Sequence, residues 1–157
     1  MIRFISSVLF VEDIVASRRF YEGLLGQKVT ADFGPNVGFE NGLAIWQSAH
    51  AQQTIGSPAV TPPRPAGAGN CELYFESDCL EEIWDKLEQA GVAAAHPIRE
   101  QPWCQRVFRV FDPDRHLVDV AEPMPVVVRR LMAQGLTVEQ IAARTFLPET
   151  VVREYAV

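Results

Sequence analysis

Val11-Glu12-Asp13 opens a helix that closes with Leu24-Leu25-Gly26, and Glu76-Ser77-Asp78 opens another that closes with Gln89-Ala90-Gly91. Asp13 and Asp78 are 65 residues apart, as are Gly26 and Gly91. The same offset places Phe10 on Phe75 and Ser7 on Glu72. Self-similarity at a fixed spacing means that one supersecondary unit is used twice. A chain built this way is pseudo-two-fold, and sheets that curve around a ligand are its natural pocket. The repeat therefore says where chemistry would sit and little about which chemistry.

Each unit reads as strand, helix, then three strands. In the first, residues 3–11 alternate as a strand and the helix spans about 13–25, with Asp13 as N-cap and Ser17, Phe20, Tyr21 and Leu24 at helical spacing. Strands follow at Lys28–Phe33, Val37–Glu40 and Leu43–Gln47, with Asn41-Gly42 as a hairpin turn. In the second, a strand at Cys71–Glu76 precedes a helix at Leu80–Ala90 whose buried stripe is Ile83, Trp84 and Leu87. Strands follow near Ala94–Arg99, Gln105–Phe111 and Leu117–Ala121, the last two joined by a tight turn at Asp112-Pro113-Asp114-Arg115. The expected organisation is thus two modules over residues 1–123 (about 1–48 and 70–123), with a Pro- and Gly-rich linker at 49–69.

Residues 124–157 differ. Val126–Gln134 is a helical stripe stopped by Gly135, Thr137-Val138-Glu139-Gln140 is a capping box, and Pro148 suits the first turn of a third helix over 148–155. This reads as a helix-turn-helix-like tail. Its charge argues against DNA: residues 1–123 carry 10 basic and 17 acidic side chains, and the tail sets four arginines against three glutamates. A recognition helix at 148–155 would hold Arg153 against Glu149 and Glu154, too little positive charge for phosphate binding. Nucleic acid is not an expected partner, and the tail reads as an appendage packing on the body, a dimer seam or a partner.

Three cysteines, an odd number without CxxC spacing, argue against a disulfide framework and a structural zinc site. No apolar run approaches the length of a membrane span, and no signal peptide is expected. The expected compartment is the cytoplasm.

The β-α-β-β-β unit used twice, with Phe20-Tyr21 in the first helix and Phe111-Asp112-Pro113-Asp114 before the last strand, resembles the vicinal oxygen chelate superfamily of glyoxalases, extradiol dioxygenases, and fosfomycin- and bleomycin-resistance proteins. The resemblance covers roughly residues 1–123. It implies an α+β fold in which two pseudo-symmetric βαβββ modules form an open, cup-like barrel, often in a homodimer. The linker permits pairing within one chain or across a swapped dimer.

Metal-dependent members of that superfamily take ligands from four pseudo-symmetric strand positions. By resemblance these are Ser7, Ile45, Glu72 and Asp119. Alternation along a strand groups Ser7 with Leu9, Glu72 with Tyr74, and Asp119 with Leu117 and Ala121. Two carboxylates, a hydroxyl and an apolar chain suit a transition metal poorly. No cofactor is expected. The alternative is a divalent ion on Glu72 and Asp119, Mg or Mn rather than Zn, with Gln47, His50 or His116 as possible further ligands.

The run Pro102-Trp103-Cys104-Gln105-Arg106 resembles a Pro-Trp-Gly-x-Arg loop that lines the pocket in bleomycin-resistance-like members, with Cys104 where glycine is usual. Trp103 reads as a stacking wall or as a core residue at a strand edge. Arg106 and Arg109 differ in parity and point to opposite faces; an inward one would hold an anionic group, and Arg109 is carried as the candidate. Trp46 is expected against the first helix. His50, His96 and His116 read as loop or turn residues.

The first functional expectation is a small-molecule binder without a tight metal, with Glu72 and Asp119 as its acid–base or ligand-pairing carboxylates and Ser7, Tyr74, Trp103 and Arg109 as ligand-binding residues. The second is a metal-dependent lyase, isomerase or dioxygenase using Glu72 and Asp119. The third is a ligand-sensing regulator with the tail as docking element.

Overall fold

The computed structural model of the chain describes residues 3–56 and 71–156. The Thr61–Pro65 run of the expected linker lies outside those residues. The chain divides into two compact units: Met1–Cys71 with Phe111–Leu117, and Glu72–Val110 with Val118–Val157.

In the first unit β1 (Ser7–Val11) leads to α1 (Ile14–Arg18). The Asp13 carboxylate caps α1 by accepting from the backbone N–H groups of Val15 and Ala16 at 2.8 and 3.1 Å. The helix then widens into a π-type turn over Arg19–Leu24, so the continuous helix expected over 13–25 changes pitch halfway. Its end at Gly26 has φ +65°. β2 (Val29–Asp32), β3 (Asn36–Phe39) and β4 (Leu43–Gln47) complete a sheet of order β1-β4-β3-β2, with β1 and β4 parallel. Asn41 and Gly42 between β3 and β4 have φ +71° and +79°, the conformation an Asn-Gly hairpin turn needs. A Cβ at Gly42 would lie 2.8 Å from the Ile5 carbonyl oxygen, so the turn excludes any other residue there.

Where the linker was expected to begin, Ser48–Ile55 forms a helix, α2. Alanine and glutamine at 49–53 are good helix formers, Ala51 is fully buried, and the Ser48 hydroxyl donates to the Val11 carbonyl at 3.0 Å. Trp46 meets Phe10 on the neighbouring strand, and its Nε1 donates to His50 of α2 at 2.8 Å. His50 is therefore a helical residue, not a loop residue, and α2 supplies a partner for Trp46.

Val11, Phe20, Tyr21, Val37, Phe39 and Ile45 form the core of this unit. The Phe111–Leu117 segment belongs to it. The Tyr21 hydroxyl donates to Asp112 Oδ2 at 2.8 Å, and the backbone N–H of Glu12 donates to Asp114 Oδ1 at 2.7 Å. Within the turn, Asp112 Oδ1 accepts from the N–H groups of Asp114 and His116. The residue in left-handed conformation is Arg115, φ +71°, whose guanidinium covers the Phe111 ring at 4.1 Å. His116 is instead buried, with Nδ1 2.9 Å from Asp112 Oδ2.

The second unit repeats the order: β5 (Glu72–Glu76), α3 (Leu80–Gln89), β6 (Ala94–Glu100), β7 (Arg106–Phe111) and β8 (Leu117–Ala121), in sheet order β5-β8-β7-β6. α3 buries Leu80 and Leu87 and sets Trp84 edge-on against Phe108 of β7, centroids 5.3 Å apart. It ends at Gly91, φ +70°, the counterpart of Gly26.

The tail forms α4 (Met124–Ala133), α5 (Val138–Thr145) and α6 (Glu149–Tyr155). Thr137 and Gln140 make the expected reciprocal capping box at the start of α5. Val127, Val128, Leu131, Ile141 and Val152 form one apolar cluster, and Cys104 is part of it. Among the described residues no helix is long and apolar enough to cross a membrane.

Candidate functional site

α3 decides which face of the second sheet is free. Phe108 meets Trp84, and Arg106, two residues away on the same face, pairs with Glu81 of α3. Arg109 has the other parity and points to the opposite face. There it joins Glu72, Asp119 and His96, one residue from each strand in the order β5-β8-β7-β6. Arg109 Nε donates to Glu72 Oε2 at 2.8 Å, its Nη2 lies 2.5 Å from Asp119 Oδ2, and its Nη1 lies 3.2 Å from His96 Nε2. His96 stands opposite Arg109 in the β6–β7 register. Its Nδ1 is 2.8 Å from the Pro97 carbonyl, which can only accept. The proton of the neutral ring therefore belongs on Nδ1, leaving Nε2 to accept from Arg109.

The three acceptors around this guanidinium are unequal. The Glu72 side chain keeps 36% of its exposure and that of Asp119 only 4%. Burial, chiefly, pushes the Asp119 carboxyl up to about 6; the Glu72 charge adds to the rise and Arg109 opposes it. Asp119 Oδ1 is buried and has no hydrogen-bond partner among the described residues. A buried acceptor without a partner costs about 1–3 kcal/mol.

A second polar row runs beside the first. Trp103 Nε1 donates to Gln105 Oε1 at 2.8 Å, Gln105 Nε2 donates to the Tyr74 hydroxyl at 2.9 Å, and that hydroxyl donates to Glu76 Oε1 at 2.9 Å. Tyr74 is 52% exposed and Gln105 only 5%. Partial burial first, then Glu76, pushes the Tyr74 hydroxyl up to about 12, with Gln105 acting in the opposite direction, so it is a neutral donor and acceptor at ordinary pH. Half-buried Trp103 is fixed by its indole N–H in the loop before β7.

Glu72, Asp119 and Arg109 are thus in direct contact, and Tyr74 and Trp103 are linked through Gln105. Ser7 belongs to the other unit, where it starts β1 opposite Leu43 and is exposed. Two participants escaped the sequence reading. Gln105 stands inside the Pro-Trp-Cys-Gln-Arg run, and its polarity at the head of an apolar strand was the available signal. His96, read as a loop or turn residue, lies within β6; only the pairing of His96 with Arg109 across the strands reveals its place.

The donor set does not suit a resident transition metal. Glu72 and Asp119 are the two carboxylates at the superfamily's ligand positions, and the Arg109 guanidinium already spans them. A dication there would face a fixed positive charge, with no imidazole or thiolate on those positions to strengthen its binding.

The glyoxalase-like domain family matches residues 4–125. No curated protein matches the chain. Among solved structures, a protein of unknown function from Agrobacterium tumefaciens str. C58 is 36% identical with a TM-score of 0.70, the match covering 78% of this chain and 95% of that one. A glyoxalase-related enzyme from Fulvimarina pelagi is 23% identical with a TM-score of 0.64, over 79% of this chain and 90% of that one. A glyoxalase/bleomycin resistance protein/dioxygenase from Nocardioides is 21% identical with a TM-score of 0.60, over 78% of this chain and 83% of that one. Both show the same fold. With its two βαβββ modules of matching strand order, the chain belongs to the glyoxalase-like domain family, within the vicinal oxygen chelate (glyoxalase/bleomycin resistance/dioxygenase) superfamily.

Proposed function

We propose that this protein binds a small organic molecule on the free face of the β5–β8 sheet and does so without a tightly held transition metal, Arg109 serving as the resident cation between Glu72 and Asp119. The observation that carries this reading is that the Arg109 guanidinium spans Glu72 and Asp119 on the face of the sheet that α3 leaves free. A ligand group that donates a hydrogen bond, a hydroxyl or an amine, meets the Glu72 carboxylate, whose side chain keeps 36% of its exposure. Glu72, Asp119 and Arg109 together carry one net negative charge when both carboxyls are ionised, which favours an ammonium over an anion. Trp103 and Tyr74 offer an aromatic wall for an apolar or planar part of the same ligand.

The test is metal analysis and binding in parallel. Protein prepared without a histidine tag is assayed by elemental analysis, and a panel of amines and polyhydroxylated aromatics is screened by tryptophan fluorescence with and without chelator. The expected result is no stoichiometric metal and affinities that do not change with chelator. Ligands found in that screen should lose about tenfold in affinity with Glu72→Gln, the equivalent of about 1.4 kcal/mol. Near-stoichiometric metal that disappears in Glu72→Ala would replace this reading with the metal-dependent one.

A further inference from the structure

The loop that carries Trp103 has an unusual backbone. Cys104 has φ +66°, a left-handed conformation that costs a residue with a Cβ on the order of 1–2 kcal/mol. The turn is closed by the Cys104 N–H donating to the Gln101 carbonyl and the Gln101 N–H donating to the Gln105 carbonyl, both at 2.8 Å. Those bonds would form equally well around glycine and do not account for a cysteine.

The tail does. Cys104 is buried in the same apolar cluster as Val127, Val128 and Leu131 of α4, Ile141 of α5 and Val152 of α6. Arg130 of α4 reaches the same loop from its polar side: its Nη2 donates to the Cys104 carbonyl at 2.6 Å and to Glu122 Oε2 at 2.9 Å. Glu122 is 2% exposed, and its Oε1 accepts from Arg106 at 2.7 Å. The Glu122 backbone carbonyl accepts from Gln105 Nε2 at 2.7 Å, the same amide nitrogen that reaches Tyr74. Side chain, carbonyl and following residue of the loop are thus all held by α4 or by the segment leading into it.

We infer that the three C-terminal helices are a positioning device for Trp103 and Gln105, with Arg130 and Cys104 as the two attachment points. Tail and loop move as one body, so a change in the packing of α4–α6 is transmitted to Trp103. The consequence for ligand affinity rests on the function proposed above; the mechanical coupling does not.

The test reads the loop without any ligand. The protein is labelled with 5-fluorotryptophan, giving one fluorine resonance each for Trp46, Trp84 and Trp103, with Trp103 assigned from Trp103→Phe. In Arg130→Met and in Cys104→Gly, the Trp103 resonance is expected to shift or broaden by more than its wild-type line width while the other two stay in place. Arg130→Lys should bring it part of the way back, because an ammonium keeps the charge and reaches fewer acceptors. A Trp103 resonance unmoved in both folded variants would overturn the inference and leave the tail a stabilising appendage. If Arg130→Met unfolds and all three resonances collapse together, Cys104→Gly decides by the same criterion, since glycine accepts the left-handed turn and leaves the Arg130–Glu122 pair intact.

Discussion

Arg109 and Asp119 approach to 2.5 Å through one carboxylate oxygen only, and the other oxygen of the same group is buried without a hydrogen-bond partner among the described residues. Arg109 is therefore the group that keeps the Asp119 carboxyl as low as about 6 against burial and the neighbouring Glu72 charge. Arg109→Gln should move the Asp119 titration to higher pH, by about one pH unit or more. Glu72→Gln removes a like charge and should move it to lower pH. Carboxyl carbon NMR titrations of the two variants are expected to shift in opposite directions, and a common direction would mean that the three groups do not form one coupled site.

Glu122 holds Arg106 and Arg130 from a position of almost complete burial. Glu122→Ala leaves two guanidinium groups facing one another. Breaking a buried pair by removing one partner costs about 3–5 kcal/mol. The arginine side chains keep 33% and 24% of their exposure, so water relieves part of the loss and the lower end of that range is expected. Urea denaturation of wild type and variant measures it.

Tyr21→Phe removes the hydroxyl donated to Asp112 Oδ2 and leaves the ring packing against Phe20 and Phe39. Asp112 Oδ2 keeps its contact with His116 Nδ1, so the acceptor is not orphaned. The expected loss is about 1.5–3 kcal/mol, the value of a bond to a charged acceptor. A larger loss in chemical denaturation would show that the Asp112 turn depends on this single bond.

His116 is buried beside Asp112, whose hydrogen bond, first, and charge, third after the opposing effect of burial, hold the imidazole above its ordinary value of 6.5. Folding thus strengthens proton binding, and the stabilisation is complete below pH 6.5 and lost as pH rises through the folded value. Asp119 acts in the same sense: its contribution is present below about 3.8 and lost as pH rises through about 6. Unfolding free energy from these two groups should fall as pH rises from 4 through the region just above 6.5. His116→Gln should flatten the upper part of that slope and leave the lower part, as read from melting temperature against pH.

Several local devices were legible in the chain itself because each depends on residues only a few positions apart. The Asp13 cap, the Thr137–Gln140 capping box, the Asn41-Gly42 turn and the glycines that follow the two module helices, Gly26 and Gly91, belong to this class. The repeat extended that legibility to topology, since two copies of one order imply two copies of one sheet. Helix α2 was missed because a Pro-rich neighbourhood hid the four residues of good helix propensity in front of it, Ala49, Ala51, Gln52 and Gln53. Glu72 and Asp119 were named from resemblance, and strand alternation placed Tyr74 on the face of Glu72.

The sequence by itself determined the repeated strands and helices of both modules, their order and the alternation of side chains along each strand, because these follow from backbone geometry and from interactions within a few residues. Only the tertiary structure decided that Arg109 and not Arg106 joins Glu72 and Asp119, since parity separates the two arginines but the packing of Trp84 on Phe108 chooses the face. It decided, too, that His96 and Gln105 enter the polar rows and that Arg130 grips the Cys104 loop. Arg109 lies 37 residues from Glu72, and Arg130 lies 26 from Cys104. Contacts across such separations depend on how whole elements pack, and no local rule of spacing or propensity encodes them.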